Sequence, residues 1–271
     1  NYSMVRHSTT GVSQTGYDLY IRKEGQWLYA GSNAPKNKDA ELVLVRNMDD
    51  SEKECLLYLP LFSELGRIEI GIDEGAEIEA SVNPFRHRIV IFGSSFTHGT
   101  STGRPGMSYP MIMQRNTGLQ FINLGVSGNS KLQQSFAAII GDNACDAIVV
   151  DAFSNPGSEM IRERFLPFVA AIRKAHPAIP LIFLQTIYRE RANFDLKERV
   201  REEEKRRAAR EVFEEATEVY DDIYFVDEPD LTGTDHITSL DGTHPDDLGY
   251  WRWANAIQPR IVKILKKYGI R

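Results

Sequence analysis

The chain has 271 residues, enough for one large domain or two modest ones that each bury a core. Its apolar and charged fractions, 42% and 26%, fall in the range of ordinary globular proteins. A formal net charge of −6 argues against a general nucleic-acid binder, which presents a basic face, and says little about a neutral substrate.

No apolar run approaches the ~18 residues that cross a bilayer, so no membrane span is expected. The opening Asn1, Tyr2, Ser3 and Met4 have neither a charged n-region nor an apolar h-region, so no signal peptide is read there. The two cysteines, Cys55 and Cys145, are too few for a disulfide framework and read as buried free thiols.

In chain order, short runs with strand-like alternation come first, at 17–22, 26–30, 40–45, 54–59 and 69–72. Turn-formers separate them, including Glu24-Gly25 and Asn33 with Pro35. Closely spaced strands without helices predict a small all-β, sandwich-like domain over residues 1–84, closed by Asn83-Pro84.

From residue 85 to 271 the pattern changes to strand–helix alternation. Apolar runs at 88–93, 120–124, 147–150, 181–184 and 223–226 have the form of strands buried on both faces. Helices are expected between and after them, at 110–117, 131–140, 159–175, 196–217 and 247–268. Five such units predict an open parallel sheet with right-handed crossovers, whose ligands bind outside the carboxyl ends of the strands.

Those strand ends carry the chemistry. Ser95 follows the first strand, Gly128 and Asn155 follow the second and third, and Asp241 and His244 lie beyond the fifth. A serine hydroxyl attacks only when a base takes its proton, and the base needs an orienting carboxylate. Asp241 and His244, three apart across Gly242, suit those two parts. The Ser95 and Gly128 N–H groups and the Asn155 amide are candidate oxyanion donors.

Gly93, Ser94 and Ser95 with Thr97 and Gly99 resemble the first motif block of the SGNH/GDSL hydrolases. Gly128, Asn155 and the run Asp241-Gly242-Thr243-His244-Pro245 resemble later blocks. The stretch 101–109 and residues 123–129 are similar to a bacterial subgroup of GDSL-like acylhydrolases. Gly16, Asp18, Leu19 and Tyr20 resemble the GxDLY signature of the β-domain that precedes that subgroup's catalytic domain. The resemblance implies a three-layer, flavodoxin-like α/β domain with a five-stranded parallel sheet. It also implies a serine esterase working through an acyl-enzyme, with Ser95, His244 and Asp241 as triad and neither metal nor cofactor.

Two departures stand out. Ser94 occupies a position where many relatives carry Asp, and the alignment of Gly93 and Thr97 selects Ser95 over it. The third block reads Ser154-Asn155-Pro156 rather than Gly-x-Asn-Asp. The substrate implied is a small-molecule or glycan ester, with acetyl esters of carbohydrate favoured. An acyltransferase with the same triad and a non-catalytic carbohydrate-binding protein are the alternatives. Export to a bacterial periplasm or surface fits that substrate class; compartment and oligomeric state stay open.

The remaining candidates have plainer readings. Arg104 either binds a polar acyl or sugar group or pins its own loop by a salt bridge. His7, His87, His176 and His236 read as structural, and His98 as a surface or pocket-edge residue. Trp27 and Tyr29 either stack on sugar rings or fill the first domain's core. The charge-dense stretch 197–215 reads as a solvated helix. There is no His-Glu-x-x-His zinc motif, and Gly125-Val126-Ser127-Gly128-Asn129 misses the Gly-x-Ser-x-Gly elbow by its last residue.

Overall fold

Apolar runs that alternate between two buried faces organise the larger part of the molecule. The structure, a computed structural model, describes residues 7–228 and 230–271. Strand β4 (Arg86–Gly93) sends Ile89 and Ile91 to one face of the sheet and Val90 and Phe92 to the other, all essentially without exposure. The same division recurs in β6 (Ala147–Asp151) and β7 (Leu181–Leu184). With β5 (Leu119–Gly125) and β8 (Ile223–Val226) they form a five-stranded parallel sheet in the order β5-β4-β6-β7-β8.

Helices cover both faces, as a sheet apolar on both sides requires. Helices α3 (Tyr109–Thr117) and α7 (Asp247–Leu265) pack with the Ile89 face, Trp253 and Ile257 at its centre. On the Val90 face lie α4 (Gln134–Gly141), α5 (Ser158–Ala175) and α6 (Leu196–Thr217), with Phe165, Phe168 and Val212. This is the three-layer, flavodoxin-like arrangement expected, and strand order reverses direction around β4, where such sheets bind ligands. Among the described residues no helix is long and apolar enough to cross a membrane.

Ahead of this domain, β1 (Tyr17–Lys23), β2 (Gln26–Asn33) and β3 (Cys55–Tyr58) form an antiparallel sheet in the order β2-β1-β3. A short helix, α1 (Gly11–Thr15), precedes it, its first turn capped by the Thr10 hydroxyl. The expected strands at 40–45 and 69–72 are not formed. Residues 40–45 run beside β2, where Asn33 Nδ2 donates to the Val43 carbonyl at 3.1 Å. The second run lies exposed, with Ile70 and Ile72 facing solvent. Alternating polarity specifies a strand only where a partner edge accepts it, and this one has none in the sheet.

Two other expectations fail on burial. Cys55 is exposed and Cys145 half-buried, both with free thiols. Helix α6 is not solvated all round: Glu198, Glu202 and Lys205 are buried against the domain, Lys205 at 2% exposure.

Candidate active site

The carboxyl edge of the sheet is built so that one turn of helix can sit directly on it. Gly93 is in register with Gly125 on one side and Asp151 on the other. A Cβ on Gly93 would meet Thr97 Oγ1 at 2.0 Å, and one on Gly125 would meet the His98 nitrogen at 2.2 Å. Only glycines let helix α2 (Ser95–His98) come down onto the strand ends. Ser94 caps it, accepting the Phe96 N–H at 3.2 Å, and Gly99, at φ +95°, ends it in the left-handed region. Ser94, the rival serine, is thereby engaged in capping and fully buried.

Beneath the turn, Asp151 Oδ2 accepts hydrogen bonds from Thr97 Oγ1 at 2.8 Å and Tyr109 Oη at 3.0 Å. Asn123 Nδ2 donates to the Thr97 carbonyl at 2.8 Å. Burial pushes the Asp151 carboxyl up to about 7 against the downward pull of those two hydroxyls.

Ser95, at the start of α2, places its Oγ 2.9 Å from His244 Nε2. His244 Nδ1 lies 2.8 Å from Asp241 Oδ2. The other oxygen, Asp241 Oδ1, accepts the backbone N–H of Thr243 at 2.9 Å and of His244 at 2.7 Å. Gly242, at φ +81°, makes that turn possible, and its N–H donates to Ser239 Oγ. Partial burial pushes the Asp241 carboxyl up, but the hydrogen bonds from His244 and Thr243 outweigh it, so it sits below the ordinary carboxylate range. With Nδ1–H donated to an ionised carboxylate, Nε2 is free to accept a proton from the serine hydroxyl. The Phe96 ring meets the imidazole edge-on, centroids 5.6 Å apart.

Gly128, at φ +75°, lies exposed in the loop after β5. Asn155, half-buried, follows β6, and its side-chain oxygen accepts the Ser130 N–H at 3.2 Å. That bond ties the Gly128 and Asn155 loops together and leaves the amide nitrogen as the donor. Arg104 is turned elsewhere: it donates to Asp18 Oδ2 at 2.7 Å and to Tyr20 Oη, with its guanidinium 4.3 Å from the Tyr29 ring centroid. Of its two readings, the loop-pinning one matches this geometry. Trp27 packs against Phe85 with the rings tilted by 34° and centroids 6.1 Å apart, while Tyr29 is half exposed.

Sequence reasoning passed over Asp151 and over the role His98 plays. His98 bridges Ser127 Oγ at 3.0 Å and the Leu61 carbonyl at 2.6 Å, joining α2, the Gly128 loop and the first domain. The signal for Asp151 was a lone carboxylate closing an otherwise apolar strand.

A family model described as the GDSL-like lipase/acylhydrolase family matches residues 86–262, and one described as the N-terminus of Esterase_SGNH_hydro-type matches residues 1–78. No curated protein matches the sequence. Among solved structures, a GDSL-like lipase from Bacteroides ovatus is 43% identical, with a TM-score of 0.95 over 98% of this chain and 79% of its own. A salicylyl-acyltransferase from a tetracycline biosynthetic pathway is 18% identical, with a TM-score of 0.69 over 100% of this chain and 77% of its own. A family two carbohydrate esterase from Clostridium thermocellum, in complex with cellohexaose, is 15% identical, with a TM-score of 0.67 over 95% of this chain and 88% of its own. The last two likenesses are of fold.

Proposed function

The chain belongs to the GDSL-like lipase/acylhydrolase family of ester-cleaving enzymes, and on that premise we propose that it is a serine esterase whose nucleophile is Ser95. The observation that carries this is the unbroken line from Ser95 Oγ through the His244 ring to Asp241, at 2.9 and 2.8 Å. Ser95 Oγ attacks the ester carbonyl while its proton passes to His244 Nε2. Asp241 holds the ring and stabilises the imidazolium. The Ser95 N–H, the Gly128 N–H and the Asn155 amide take the negative oxygen of the tetrahedral intermediate. His244 then gives the proton to the leaving alcohol, and water, deprotonated by the same nitrogen, releases the acid from the acyl-serine.

The substrate we favour is a short-chain ester, acetyl first, on a carbohydrate. Support comes from a fold shared along 95% of the chain with a carbohydrate esterase that binds a cello-oligosaccharide. Hydrolysis of p-nitrophenyl acetate and butyrate beside Ser95→Ala tests the mechanism. Loss of turnover in the variant, by about 10³-fold or more, is expected. Equal rates in both proteins would remove Ser95 from the reaction. Product that appears only with an added alcohol acceptor would mark an acyltransferase instead.

A further inference from the structure

Two buried cations converge on one neutral carbonyl beside the proposed oxyanion site. The Ser154 carbonyl accepts a hydrogen bond from Arg189 Nη2 at 2.8 Å and another from Lys205 Nζ at 2.9 Å; Arg189 Nη2 also lies 3.0 Å from Ser154 Oγ. Ser154 precedes Asn155, so the held carbonyl and the Asn155 N–H belong to one rigid peptide plane. Glu198 and Glu202 balance the charge. Arg189 Nη1 lies 3.2 Å from Glu198, Arg189 Nε lies 3.5 Å from Glu202, and Lys205 Nζ also bonds Glu202. All four side chains are at most 9% exposed.

A peptide carbonyl needs no ammonium and no guanidinium to satisfy it; an amide or a water would do. Desolvating two cations is costly, and well-packed apolar side chains of the same volume are often no worse for stability. What charged donors add is a stronger, shorter hold than neutral ones. The part held is the one that must not move. Asn155 is fixed on its far side by the Ser130 N–H, and its amide reaches a developing oxyanion only if the peptide before it stays in place.

We propose that Arg189 and Lys205 are positioning residues for the oxyanion hole, clamping the Ser154–Asn155 peptide so that the Asn155 amide is preset for the transition state. The inference rests on the reading of Ser95 as nucleophile and Asn155 as oxyanion donor. It assigns to α6, a helix remote in sequence from the motif blocks, control over turnover rather than over substrate binding.

A double-mutant cycle tests it. Lys205→Met, and the charge-balanced pair Glu202→Gln with Lys205→Met, would be made in the wild type and in Asn155→Ala, with Ser95→Ala as reference. Melting temperature, kcat and KM for p-nitrophenyl acetate are read in each. The charge-balanced pair serves where the single variant fails to fold. In the wild-type background kcat should fall about tenfold or more with KM within twofold, and the charge-balanced pair, which leaves no buried carboxylate without its ammonium, should hold the melting temperature. In the Asn155→Ala background the same change should cost less than twofold. A folded variant with wild-type kcat, or an equal loss in both backgrounds, would overturn the clamp. Undiminished turnover in Ser95→Ala would instead overturn the reading of the active site itself.

Discussion

Asp151 shows how a single buried group couples the site to stability. Its folded-state value of about 7 lies above the ~3.9 of an exposed aspartate, so the native chain keeps a proton that the unfolded chain releases. Stability from this group is therefore intact below pH ~4, declines as pH rises through the window up to about 7, and is lower by about 4 kcal/mol above it. Asp151→Asn removes the titration and keeps an acceptor for Thr97 and Tyr109. The difference in melting temperature between variant and wild type should move in the variant's favour between pH 4 and pH 8; a constant difference would show that Asp151 is ionised throughout. Asp241 behaves in the opposite sense, because its carboxylate is held ionised by backbone N–H donors as well as by the imidazole. Asp241→Asn is expected to lower kcat by about 10²–10⁴ with little change in stability, since it disturbs the ring's tautomer on a half-exposed turn.

At the level of elements, the sheet was legible from its short apolar runs, the clearest being the central strands β4, β6 and β7, which are buried on both faces. The helices between them were legible to within a few residues, since turn-formers and caps bound them. Residues 69–72 misled because they alternate as a strand does while nothing pairs with them. Helix α6 misled because its sequence is dominated by charge, and the burial of Glu198, Glu202 and Lys205 depends on Arg189 and Ser154, which lie outside the helix. No local pattern reports a partner 51 residues away. The proposed catalytic residues were visible as motif blocks, yet the device that seats Ser95 was not, because it is a contact between elements. Gly93→Ala tests that device. With a methyl group meeting both Thr97 Oγ1 and the Asp151 backbone, the substitution should cost about 1–3 kcal/mol or more in urea unfolding. Turnover should fall with it as α2 lifts; wild-type activity and stability together would show that the turn has slack.

Across the whole molecule, the two parts of the chain meet along the loop that follows the Ser95 turn. Thr10 Oγ1 donates to the Gly103 carbonyl at 2.6 Å, and Ser13 Oγ lies 2.8 Å from Thr102 Oγ1. Asp18, fully buried, accepts from both Arg104 and the Gly106 N–H. The signature residues Asp18 and Tyr20 are thus explained as neighbours on one face of β1 that grip a single arginine. Asp18→Ala should cost about 3 kcal/mol, at the low end for a buried pair because Arg104 keeps 22% of its side chain exposed. A two-transition melt in place of one would show that the halves have come apart. The span of the Ser95–His244 contact, 149 residues, has its own consequence during synthesis. A growing chain leaves the ribosome with its serine turn first, then four more strands, and only afterwards the loop that carries the imidazole. On the proposed assignment, the hydroxyl therefore stays chemically dormant until the chain has been made past His244.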